Sequence, residues 1–148
     1  MADEVRIPIK SGADLVPARA QARGAAIELG FTQTDATLIA TAVSEIARNI
    51  VVHAGRGEIR IRSISELGRR GLRVVAEDRG PGIPDLDAAA GFAALAPRAG
   101  LGLGLPGARR LMDEFEVTSA PDRGTTITMC KWRARSPLER LDDGWRPG

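Results

Sequence analysis

The chain has 148 residues, 43% of them hydrophobic, and a formal net charge of only +2, which suits one folded domain around one core. No apolar run approaches the roughly 20 residues of a membrane span, and MADEVRIPIK lacks the apolar stretch of a secretory signal, so neither a membrane nor secretion is expected. One cysteine and one histidine exclude a disulfide framework and a self-contained zinc site, and interspersed charges with few aromatics argue against a nucleic-acid partner.

Val5-Arg6-Ile7-Pro8-Ile9 alternates as a strand does, and Pro8 places it at a sheet edge. Asp14 is positioned to cap a helix over about 15–29, closed by Gly30. Thr34 or Asp35 can cap a longer helix reaching about Val52. Residues 58–65 and 72–77 read as the strands of a hairpin turned over 67–71. Asp78–Pro84 is turn-forming, and 86–96 is alanine-rich and weakly helical. After a glycine run, 106–115 reads as a short amphipathic helix, and 117–120 with 125–132 as a closing hairpin. The order predicts an α+β two-layer sandwich, with a mixed, mostly antiparallel sheet and helices on one face. Residues 1–133 form the expected domain. The extension 134–148 contains Ser136-Pro137-Leu138-Glu139, a capping-box pattern for a short helix to about Asp143.

GLGLGLPG, residues 100–107, fits two phosphate-binding motifs. As a dinucleotide fingerprint it has a following helix, and Asp122 stands where a ribose partner belongs. That fingerprint needs a hydrophobic strand immediately before it, and AALAPRA stands there instead. A single further strand after Asp122 is also too little for a doubly wound parallel sheet.

The second helix carries Glu45, Asn49 and His53 at i, i+4 and i+8, along one face. A carboxylate one turn before a carboxamide is an oxygen-rich pair of the kind Mg²⁺ prefers, although a solvated polar stripe gives the same pattern. A lone histidine ending a helix is expected as a C-terminal cap. EDRGPGIP, residues 77–84, then sets Asp78 at a strand end, followed by Gly80 and Gly82. A carboxylate there can accept from the exocyclic amine of adenine, and the glycines allow the backbone close to a flat ligand.

In order, Glu45-x-x-x-Asn49, Asp78-x-Gly80-x-Gly82, Gly100-x-Gly102-x-Gly104 and Gly124-Thr125 resemble the Bergerat-type ATP-binding fold of gyrase, Hsp90, histidine kinases and MutL. The resemblance spans about residues 5–133. AVSEIARNI, AEDRGPGIPD and GLGLPGARRLMDEF are most similar to RsbT-type serine/threonine kinases of bacterial partner-switching modules and stressosomes.

The resemblance implies that Glu45 is the general base and Asn49 the Mg²⁺ ligand. Asp78 would bind the adenine amine with help from Thr125, and Gly80 and Gly82 would shape the purine pocket. Gly100, Leu101, Gly102, Leu103 and Gly104 would bring backbone N–H groups to the ATP phosphates. Arg98 is the cation of the candidate lid. Relatives carry a short Ser/Thr-containing lid, whereas AALAPRA has no hydroxyl and is longer. The implied function is cytoplasmic, Mg·ATP-dependent phosphorylation of a STAS-domain antagonist or scaffold protein, with a PP2C-type phosphatase or a sigma-factor regulator as further partner. The alternative is a nucleotide-dependent switch of the anti-sigma type with little or no kinase activity. A sensor histidine kinase fits less well, since no dimerisation helix pair precedes the domain.

Overall fold

The computed structural model describes residues 4–80, 104–120 and 122–133. Strand β1 (Glu4–Ile9) leads through a single 3₁₀ turn, Gly12–Asp14, into α1 (Leu15–Glu28) and α2 (Gln33–His53). The hairpin β2 (Gly57–Glu66) and β3 (Arg69–Asp78) follows, then α3 (Gly104–Leu111), β4 (Glu114–Ala120) and β5 (Gly124–Trp132). The five strands lie in the order β1-β2-β3-β5-β4, and every pairing is antiparallel. The sheet expected to be mixed thus holds no parallel pair among the described residues, which leaves no parallel strand pair for a dinucleotide fold to use.

Local chemistry explains where the helices begin and end. Asp14 does not cap α1 with its side chain. Its carboxylate instead accepts from Lys10 and Ser11 N–H, in a capping box with Ser11 around the 3₁₀ turn. Pro17 falls in the first turn of α1, where no intrahelical N–H bond is lost. Gly30, at φ +93°, ends that helix, with Phe31 N–H reaching Ala26 C=O and Gly30 N–H reaching Ile27 C=O. The cap of α2 is Thr32 rather than Thr34 or Asp35: Thr32 Oγ1 accepts from Asp35 N–H at 3.1 Å. The β2–β3 turn is confined to Leu67 and Gly68, both with positive φ, the form a two-residue hairpin favours.

The core lies between the helices and one face of the sheet. α1 offers Ala18, Ala22 and Ala26, one turn apart, so small side chains let it lie close against α2. α2 contributes Ile39, Val43, Ile46 and Ile50, all buried, each worth about 1.5–3 kcal/mol of burial. Alternate strand residues meet them: Ile59 and Ile61, Leu72, Val74 and Ala76, and Ile127 and Met129.

Helix α3 starts and stops earlier than the amphipathic pattern over 106–115 suggests. It ends at Leu111, and Phe115 belongs to β4, packing on the core from the sheet side. Phe115 recurs at helical spacing after Leu111 and also suits a strand, so periodicity alone does not separate the two readings.

Candidate functional site

Residues Glu45 and Asn49 sit on α2 where it crosses to α3. The polar stripe is not solvated: Glu45 is 7% and Asn49 9% exposed, while His53, one turn on, is exposed at the last turn of the helix. A buried carboxylate requires compensation, and Glu45 has it from the backbone. Gly104 N–H, at the first turn of α3, donates to Glu45 Oε2 at 2.7 Å. The N-terminal end of α3 adds positive electrostatic character to that bond. Among the described residues no donor is bonded to Oε1.

Asn49 is compensated less well. Its Nδ2 is buried without a hydrogen-bond partner among the described residues, and the same is true of Nε of the preceding residue, Arg48. An unmade buried hydrogen bond costs about 1–3 kcal/mol, so two adjacent ones mark a place where stability is given up.

The second part of the site is a row across one end of the sheet. Gly57, Asp78, Thr125 and Ser119 are successive register partners on β2, β3, β5 and β4. Alternation puts Asp78 on the side of Leu72, Val74 and Ala76, and Thr125 on the side of Ile127 and Met129. Both therefore stand on the helix-bearing face. Asp78 Oδ1 accepts from Gly80 N–H at 2.9 Å and from Thr125 N–H at 3.2 Å. No donor among the described residues is bonded to Oδ2. Thr125 Oγ1 lies 3.0 Å from Ser119 Oγ, which also approaches Gly124 C=O at 3.3 Å.

Three glycines fix this geometry. Gly80 packs against the end of α2, where an added Cβ would stand 2.6 Å from Ala54 Cβ. Gly57 passes so close to Ile50 that a Cβ would come within 2.9 Å of its Cγ2. Gly124 has φ +86°, and its Cβ would strike Asp78 C=O and lie 2.7 Å from Arg79 Cα. The last turns of α2 are thereby locked over the Asp78 end of the sheet. That packing joins the Glu45–Asn49 pair and the Asp78–Thr125 pair into one region.

Of the residues singled out in the sequence, Glu45, Asn49, Asp78, Gly80, Gly104 and Thr125 belong to this region. Gly82, Arg98, Gly100, Leu101, Gly102 and Leu103 lie outside the described residues, as do the 86–96 segment and the tail beyond 133. Two residues had been passed over. Ser119 was legible only as one alternating position of a strand. Arg48 was visible as the cation inside EIARN, between the two residues that drew attention. The groove on the open face of the sheet, lined by Arg62, Arg73, Val75, Glu114, Thr128 and Cys130, belongs to the opposite side. There Arg73 is raised above its ordinary range, first by a hydrogen bond with Cys130 and then, against the opposing effect of burial, by the field of nearby Glu114 and Glu66.

A helix pair over a five-stranded antiparallel sheet is the two-layer α+β fold expected from the order of elements. A profile of the histidine kinase-like ATPase domain matches residues 10–131. The chain belongs to the histidine kinase-like ATPase family. It is 46% identical over 134 residues to the serine/threonine-protein kinase RsbT of Bacillus subtilis (strain 168), covering 89% of this chain and 98% of that protein. An anti-sigma F factor of Caldanaerobacter subterraneus subsp. tengcongensis is 32% identical over 114 residues, 75% of this chain and 80% of that protein. Another, from Thermoanaerobacter sp. (strain X514), is 31% identical over 110 residues, 72% of this chain and 77% of that protein. The chain is thus of the RsbT type, and ATP use and protein kinase activity come with that membership.

The residues present fit Mg²⁺. Asn49 supplies a buried amide whose oxygen is a hard ligand of the kind Mg²⁺ takes, one turn from the Glu45 carboxylate. Among the described residues no group of three or more His, Cys, Asp or Glu could hold a metal alone. Mg²⁺ is commonly held through one or two side-chain oxygens together with phosphates and water. Among the described residues, no helix is long and apolar enough to cross a membrane.

Proposed function

We propose that this protein transfers the terminal phosphoryl group of Mg·ATP to a serine or threonine of a STAS-domain antagonist protein, within a cytoplasmic partner-switching module or stressosome. The observation that carries the reading is shared by the two carboxylates. Glu45 and Asp78 each have one oxygen fixed by backbone N–H and the other without a bonded donor among the described residues. Each is therefore held in place with an acceptor to spare.

Asp78 Oδ2 accepts from the exocyclic amine of adenine, and Thr125, its hydroxyl oriented by Ser119, completes the base contact directly or through water. Asn49 holds Mg²⁺ through its amide oxygen, and the chemistry the ion supplies when bound is neutralisation of phosphate charge. Glu45 Oε1 takes the proton of the attacking hydroxyl, a task worth about 10²–10⁴ in rate. Gly104 N–H fixes the base in position, and the start of α3 provides a positive environment for phosphate. The remaining catalytic effect is alignment of the two substrates. Residues 1–133 constitute the kinase domain, and 134–148 is an appendage to it. Once released from its substrate the kinase is free to bind and activate a PP2C-type phosphatase or to engage a sigma-factor regulator.

The test is phosphate transfer from Mg·ATP to a STAS-domain protein of the same genome, comparing the native chain with Glu45→Ala and Asn49→Ala. Transfer abolished in both variants is the expected result. Transfer that survives Glu45→Ala removes the base assignment. Tight ATP binding with no transfer by the native protein would instead favour a nucleotide-dependent switch of the anti-sigma type.

A further inference from the structure

We propose that Arg48 is a phosphate-binding residue of this site, donating to the anionic end of the nucleotide; the inference rests on the ATP-site reading above. Arg48 and Asn49 hold the two buried side-chain polar atoms that have no partner among the described residues. They are consecutive in sequence, and both atoms are nitrogens, Nε and Nδ2. For arginine the identity is certain: a guanidinium donates and never accepts. What completes this part of the site must therefore supply acceptors, and because one donor is a permanent cation, an anionic acceptor fits best.

The position agrees. Arg48 is at i+3 and Asn49 at i+4 from Glu45, so each is a neighbour of Glu45 on α2, on either side of it. Glu45 accepts from Gly104 N–H, and no ion pair between Glu45 and Arg48 occurs among the described residues. No ion pair of Arg48 occurs among the described residues, whereas Arg6 and Arg60 on the open face of the sheet are both paired with glutamates. Nε is enclosed, while Arg48 as a whole is only partly buried. The start of α3, meeting the same face of α2, adds a second source of positive potential. The sequence suggests Arg98 as the lid cation, which lies outside the described residues; Arg48 is a cation in the helix that carries the candidate base.

Equilibrium binding of ATP, ADP and adenosine, each with Mg²⁺, separates a phosphate contact from a packing role. The proteins are the native chain, Arg48→Ala, Arg48→Gln and Arg48→Lys. A charge-assisted bond predicts that Arg48→Ala and Arg48→Gln raise the Kd for ATP about tenfold or more, while the Kd for adenosine stays within twofold. Arg48→Lys, which keeps the charge and most of the stem, should recover part of the ATP affinity. If the alanine variant does not fold, the glutamine and lysine variants carry the comparison. ATP affinity within twofold of native in Arg48→Gln overturns the proposal, as does equal weakening of ATP and adenosine. Either result leaves the ATP site standing provided the native chain binds both ligands. A native chain that binds neither overturns the inference together with the reading it rests on.

Discussion

Gly104 N–H donates to Glu45 Oε2 at 2.7 Å, joining residues 59 positions apart. One bond thus satisfies a buried carboxylate and an N–H group at the start of α3, and it ties the proposed base to that helix. Replacing Glu45 tests both roles. Glu45→Gln keeps an acceptor for Gly104 and should change stability little, while phosphoryl transfer falls at least a hundredfold. Glu45→Ala removes the acceptor and should lose about 1–3 kcal/mol in urea denaturation as well as transfer.

Asn49 should behave in the opposite way. Its Nδ2 is buried with no partner among the described residues, so Asn49→Leu removes a polar group that gains little from them. Stability is expected to hold within about 1 kcal/mol of native or to rise, because residues retained for ligands are often suboptimal for folding. Mg²⁺-dependent enhancement of ATP binding should disappear. Calorimetric titration with and without Mg²⁺, beside thermal denaturation, reads both effects.

Asp78→Asn retains one oxygen, enough to accept from Gly80 and Thr125. The other end of the side chain then becomes a donor, facing the donor of adenine. ATP affinity should fall by about 1–3 kcal/mol with little change in melting temperature. A binding isotherm is sufficient, and unchanged ATP affinity would remove Asp78 from the base pocket.

Gly124→Ala should be among the most destabilising single changes at the site. A side chain there meets both a positive φ and the Asp78 carbonyl. The conformational cost of about 1–2 kcal/mol adds to the displacement of β3 from β5, so a loss above roughly 2 kcal/mol is expected in urea denaturation. Nucleotide binding should weaken too, because Thr125 N–H anchors Asp78.

Thr32→Ala provides a contrast distant from the chemistry. Loss of the Thr32 Oγ1 bond to Asp35 N–H should lower stability by about 0.5–2 kcal/mol. ATP affinity and transfer should match the native protein wherever it stays folded. An equal loss of affinity would mean that the start of α2 is coupled to Glu45 and Asn49 more tightly than a helix cap implies.

The sequence by itself determined the elements and the chemical inventory. Alternation over Ile59–Ile61 and Leu72–Ala76, and the glycines at 30 and 124, are local signals, because propensity and backbone freedom act between neighbouring residues. The i, i+4 spacing of Glu45 and Asn49 likewise follows from helix geometry alone. What that spacing left open was whether the face met water or protein, since a buried site and a solvated stripe share the same pattern. Tertiary packing decided it: α3 crosses α2, Gly104 reaches Glu45, and the stripe divides into two buried residues and an exposed His53. Ser119 reached Thr125 only through antiparallel register, and Arg48 became noticeable only once its Nε was found buried without an acceptor. Those relations span distant segments or depend on solvent exclusion, and neither quantity is written in the local pattern of residues.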